Sequence, residues 1–217
     1  MVTHSMTIRK LLTTVLCSLT VIFVVTRASA ADKTFKRSVE LKKRTAKTSK
    51  DVDRYVIQLE RTEHALSSVS RAEGRDLTRR YESFTEEMRR LENAQQHTTS
   101  DIDELEAIGA EYFSSWDRSI AQISSPELKQ ASTERRAKVM EDHEAFDVSL
   151  SDIRSQLQPF MNNLRDVEAF LGTGPLPANV ANATEMIQKS QADAQVLKDK
   201  IAGAQTTLKR LQAEAAN

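Results

Sequence analysis

Apolar residues recur along this chain at alternating intervals of four and three, the spacing that places them on one face of a helix. The longest row is Leu77, Tyr81, Phe84, Met88, Leu91, Gln95, Thr98, Ile102, Leu105, Gly109, Tyr112, Trp116, Ser119 and Ile123. It runs for roughly seven heptads without a phase slip, well beyond the three or four that argue for a coiled coil. A single helix carrying it would be about 70 Å long at 1.5 Å per residue. Its weak stretch is Asn93 to Asp101, where Gln95 and Thr98 make the seam polar and Ser100 with Asp103 could start a fresh helix. The unbroken phase favours one continuous helix.

Three further helices flank this row. Val52, Tyr55, Leu59, Thr62, Leu66 and Val69 predict a first helix from about Lys36 to Ala72. Gly74 follows as a stop, because glycine accepts the left-handed conformation, and Asp76 is placed to cap the next helix. Ser125-Pro126-Glu127 sets a hydroxyl cap, a first-turn proline and an acid at the positive dipole end in the expected order. The third helix starts there and carries Phe146, Leu150, Ile153, Leu157, Phe160, Leu164, Val167 and Leu171. Pro159 lies inside it and removes a backbone donor, which predicts a kink rather than a stop. Gly172-Thr173-Gly174-Pro175-Leu176-Pro177 reads as a loop. A fourth helix from about Asn179 to Ala213 has two seam rows, Val180, Ile187, Ala194, Ile201, Leu208 and Ala183, Ser190, Leu197, Ala204, Leu211. Short links between long helices predict an all-α fold, an elongated antiparallel coiled-coil bundle of about four long helices.

The N-terminal 30 residues follow a different pattern. Arg9 and Lys10 precede an apolar run from Leu11 to Val25, roughly 15 residues and short of the roughly 20 that span a bilayer. Ala28-Ser29-Ala30 is an A-x-A cleavage sequence. Residues 1–30 therefore read as a signal peptide, with a mature start at Ala31 and an uncleaved anchor as the rival reading. Leu16 before Cys17 and the continued apolar run argue against a lipoprotein site. The expected compartment is periplasmic or envelope-associated. Residues 31–50 then form a basic N-terminal arm and 51–217 the bundle.

Composition sharpens this picture. Glycine and proline number five and four, and aromatics are only 5% of the 217 residues, which suits long helices with a narrow core. Basic and acidic residues balance at 31 each. Residues 1–30 hold three of the basic ones, Arg9, Lys10 and Arg27, and no acid, so the remainder stands at 28 against 31, a net of −3. Nucleic acid is not expected as a partner. The single cysteine, Cys17, leaves with the leader, so disulfides give no support.

Chemistry is sparse. No serine sits in a G-x-S-x-G elbow, and the five glycines are too dispersed to cradle phosphate. Di-iron bundles need Glu-x-x-His pairs, but Arg61, Ala94 and Met140 stand three residues before His64, His97 and His143. No catalytic residue, metal site or cofactor is expected. Two candidate contact surfaces remain. Tyr112, Phe113 and Trp116 are hydrophobic packing at a hairpin end or, if exposed, a surface for a protein partner. Lys42, Lys43 and Arg44 stand in the basic arm and are candidates for contact with an anionic membrane surface. Trp116 continues the seam past Gly109, whose missing side chain makes room for a bulky neighbour, and burial between the second and third helices is expected.

The segments Glu111-Tyr112-Phe113-Ser114-Ser115-Trp116, Ile123-Ser124-Ser125-Pro126-Glu127-Leu128 and Leu157-Gln158-Pro159-Phe160 resemble a domain-of-unknown-function family of bacterial envelope proteins. Its members carry signal peptides or lipoprotein leaders followed by long helices. The resemblance covers about residues 35–214 and is strongest over 111–171. It implies a bacterial periplasmic setting and carries over no activity. The functional expectation is a non-enzymatic structural or interaction protein of the cell envelope, acting on a protein partner or its own copy through helical faces. The alternative is a membrane-surface-binding helical protein of envelope stress or remodelling.

Overall fold

The computed structural model describes the backbone of residues 5–214 and the side chains of residues 31–213. The described residues form four helices, α1 (Ser5–Ser70), α2 (Gly74–Ala121), α3 (Pro126–Gly172) and α4 (Pro177–Glu214). Each is antiparallel to the neighbours on either side. Paired side chains fix the order: Arg37 with Glu111 and Gln58 with Glu87 join α1 to α2, and Arg165 with Glu92 joins α2 to α3. Asn163 with Asp193 joins α3 to α4, and Lys198 with Glu63 joins α4 back to α1. The result is an elongated up-down-up-down bundle. The α1–α2 pair is the most extensively packed and the α2–α3 pair the least.

The heptad seams are the core. All ten positions of the two α4 rows are buried, as are Val52, Tyr55, Leu59, Thr62, Leu66 and Val69 of α1. The alanines and Ser190 in α4 allow the close approach of its neighbours. α2 is one helix through Asn93–Asp101, and the reason lies on α1. Thr98 is buried with its hydroxyl toward the Asp51 carbonyl, at 3.5 Å. Thr48 donates to the Asp101 carbonyl at 3.3 Å, and the Asp101 carboxylate meets Arg44 at 3.3 Å and also Lys47. The polar stretch is thus satisfied across the hairpin, as buried polar groups must be.

Local signals at the helix ends were partly right. Ser125 is the N-cap of α3 and accepts from the Leu128 N–H at 3.3 Å, with Pro126 and Glu127 in the first turn. Gly74 adopts φ +54, the left-handed region, at the α1–α2 turn. Asp76, however, is not a cap. The N-cap of α2 is Glu73, and Asp76 sits inside the first turn, ion-paired to Arg79 and to Arg80 at 3.1 Å. Its charge still favours the positive end of the helix. α3 runs unbroken across Pro159, which lies on the exposed face.

The basic segment is helical and belongs to α1. Residues 31–50 continue α1, and Leu41, Thr45 and Thr48 are buried against α2. They extend the 4–3 row back from Val52. The expected start near Lys36 is therefore too late, because the helix continues upstream of that residue. The leader and its cleavage sequence fall on residues 1–30, outside the described side chains.

Candidate functional site

The aromatic group lies at one end of the bundle, where α1, α2 and α3 meet. Tyr112 and Phe113 stand 5.4 Å apart between ring centroids, and Tyr112 and Trp116 5.3 Å, both tilted. These are ordinary distances for favourable aromatic pairs. The Trp116 indole N–H donates to the Ser132 hydroxyl of α3 at 3.0 Å. Trp116 is only 7% exposed, and Tyr112 and Phe113 are buried too, so the expected burial between α2 and α3 holds. Burial also pushes the Tyr112 phenol upward in pKa, with the Arg135 charge opposing.

Two arginines cover this cluster. Arg135 lies 5.6 Å from the Trp116 ring and Arg136 5.6 Å from the Phe113 ring, within cation–π range. Arg136 also pairs with Asp117 at 2.7 Å. Inside the cluster, the His143 imidazole meets Phe113 edge-on at 5.3 Å, and its Nδ1 lies 3.2 Å from Asp147. The imidazole occupies the space left by Gly109. Among the described residues no group of three or more His, Cys, Asp or Glu could hold a metal ion.

The buried aromatics still show one edge to the surface. A groove between α1 and α3 has Phe35 and Ser38 on one side, Tyr112 and Trp116 on its floor, and Ser132 and Arg135 on the other side. No described residue of α4 lines it. Phe35 is 67% exposed, a large apolar side chain left in water. Sequence reading missed Phe35. The signal was its place at i with Val39 at i+4, a repeat too short to stand out.

The three basic candidates separate. Arg44 is half-buried and meets Asp101 and Glu104 on α2. It serves the hairpin and is not free to meet an anionic surface. Lys42 and Lys43 are exposed, with no ion-pair partner among the described residues. Spacing places them on the same outward stripe as Phe35 and Val39, and Val39 is itself 52% exposed. Around Asp101, the Lys47 ammonium is held above its ordinary pKa, chiefly by its hydrogen bond to Asp101. Burial would raise the neighbouring Asp51 carboxyl, but the Lys47 ammonium and the Arg54 guanidinium hold it below the ordinary range.

No helix among the described residues is long and apolar enough to cross a membrane. Comparison with known proteins adds one match. No curated protein and no solved structure is similar to the chain. A family model described as "Protein of unknown function (DUF2959)" matches residues 35–204, the span that holds the four-helix bundle and the aromatic end. The chain belongs to the DUF2959 family.

Proposed function

We propose that this protein is a non-enzymatic interaction protein of the bacterial cell envelope, and that it engages a protein partner through the groove at its aromatic end. The observation that carries this reading is Phe35, a large apolar side chain exposed beside a groove floored by Tyr112 and Trp116 and flanked by Arg135. Aromatic residues and arginine are the types most enriched where binding energy concentrates. A groove between two long helices suits a third helix laid into it. The envelope setting is supported by the basic, apolar and A-x-A pattern of residues 1–30.

The test is co-purification from the envelope with mass spectrometry of the captured proteins. Phe35→Asp and Arg135→Glu, both at exposed positions, should release the partner and leave helicity unchanged. Equal capture by the wild type and both variants would reject the groove as the site.

A second reading has its own observation. Phe35, Val39, Lys42 and Lys43 form an outward stripe on α1 that pairs apolar with cationic side chains. Such a stripe suits an anionic membrane surface, where each lysine contributes about 1 kcal/mol and salt weakens the contact. Co-sedimentation with vesicles containing anionic lipid tests it. Lys42→Glu with Lys43→Glu should abolish binding, whereas Arg44 is spoken for by α2.

A further inference from the structure

The bundle does not enclose one continuous core. Its buried apolar residues fall into two clusters, one containing Tyr55, Leu91 and Ile201, the other Leu105, Phe146 and Leu208. A cavity of about 60 Å³ lies at the boundary, with all four helices contributing to its wall. Val52, Tyr55 and Ile201 of the first cluster face Phe146, Leu150 and Leu208 of the second across it. The level coincides with the polar stretch of α2, where Gln95 and Thr98 replace large apolar seam residues, and with Ala204, a small residue in the α4 row. The space therefore follows from three seam positions that each fall short of filling the core.

One polar group in this wall has no protein partner. Tyr55 is buried, and its hydroxyl has no hydrogen-bond partner among the described residues. Burial also raises its pKa, so the group stays a neutral donor across the physiological range. A buried hydroxyl without a partner forgoes the hydrogen bonds it makes in water. Water alone is a poor tenant of the space. The volume would take roughly four to six molecules at about 10–15 Å³ each, and each needs two to four polar partners. The wall is mainly apolar, and the Thr98 hydroxyl is already directed to the Asp51 carbonyl.

The most exposed lining residues are Thr99 and Arg154, so the cavity opens between α2 and α3, the least extensively packed pair. The Arg154 guanidinium at this mouth is occupied by Asp103 at 2.9 Å and Glu106 at 3.4 Å. An anionic ligand would find no free cation there, and any charge carried inward would lose its hydration to an apolar wall. A neutral ligand meets neither obstacle.

We propose that this cavity is a binding site for a small, neutral, largely apolar molecule with one carbonyl or hydroxyl oxygen, taken up between α2 and α3 and oriented by the Tyr55 hydroxyl. The apolar part fills the gap between the two clusters, and the oxygen accepts from Tyr55.

Methyl NMR of the full chain, titrated with acetone and separately with isobutene, tests the assignment. Acetone should give saturable shifts at Ile102, Leu150, Ile201 and Leu208. Tyr55→Phe should weaken acetone by about 5- to 10-fold, the loss of one hydrogen bond, and leave isobutene unchanged. Ala204→Leu, which fills the space from the opposite helix, should abolish both, and it serves independently if Tyr55→Phe fails to fold. Absence of saturable shifts in the wild type, or binding that is indifferent to both substitutions, would overturn the proposal and leave the cavity to solvent.

Discussion

Gly109 of α2 and His143 of α3 fit into one another: the imidazole occupies the place where any other residue at 109 would put its β-carbon. A β-carbon there would overlap Nε2 of His143 and stand 3.1 Å from Cδ2. The ring cannot move freely, since Phe113 packs against it and Asp147 meets its Nδ1. Alanine at a helix-interior glycine normally gains about 1 kcal/mol. Gly109→Ala in the wild type should lose that gain and cost about 1 kcal/mol more, through displacement of the imidazole. With His143→Ala in place, the same substitution should stabilise. Urea denaturation of the four proteins gives the coupling, and simple additivity would show that the two residues do not constrain each other.

Trp116 reports on the same end of the bundle. Its indole is buried and bonded to Ser132, so its emission should be blue-shifted and resist acrylamide. Trp116→Ala should cost about 3–5 kcal/mol through the cavity it leaves. Ser132→Ala should cost only about 1 kcal/mol, the loss of one partly buried hydrogen bond. Red-shifted, readily quenched emission would contradict the packing described for the α2–α3 seam.

The Asp101 cluster should govern the hairpin. Removing this carboxylate leaves Arg44 and Lys47 without their shared partner. A fully buried pair loses 3–5 kcal/mol on such a change, but Lys47 is half exposed, and solvent screening reduces the expectation to about 1–2 kcal/mol. Asp101→Ala measured by urea denaturation checks this. A change below about 0.3 kcal/mol would place the cluster among surface ion pairs of no consequence.

The ionisable groups set the pH window from both sides. Asp51 has a folded-state pKa held below its unfolded value, so its contribution is present above about pH 4 and lost as pH falls through the folded value. Tyr55 and Tyr112 have pKa values raised by burial, with an opposing effect of Arg135 at Tyr112. Their contribution is present below about pH 10 and lost as pH rises further. Melting temperature should therefore be flat between these limits and fall outside them. Tyr55→Phe should blunt the alkaline fall, and an unaltered alkaline limb would assign it to other groups.

How much of this was legible depends on what each residue's partner is. The α4 rows could be read outright, because strict 4–3 spacing of Val, Ala, Ile and Leu has one helical solution with one buried face. The start of α1 was hidden for the opposite reason. Thr45 and Thr48 continue the seam, but threonine beside so many lysines looks like a solvated surface. Their role appears only when Asp101 of α2 is set against them. Gln95 and Thr98 were visible as a weakness, read as a candidate break in α2. They mark a cavity because residues from four helices fail to fill one level, and no local pattern records that. The aromatic group was found, and its burial at the hairpin end was the expected reading. Tyr112, Phe113 and Trp116 are mainly core, and the exposed member of the site is Phe35, on the segment read as a basic arm.

If the groove beside Phe35 is the binding site, a protein occupies it in the cell. Site-specific photo-crosslinking measures this directly, with a benzophenone amino acid placed at position 35 and, as a control, at Val196, an exposed apolar residue on α4. Irradiation of intact cells should give a discrete protein adduct from position 35 that is lost with Arg135→Glu and is absent from position 196. Adducts to lipid alone, or the same products from both positions, would contradict the account.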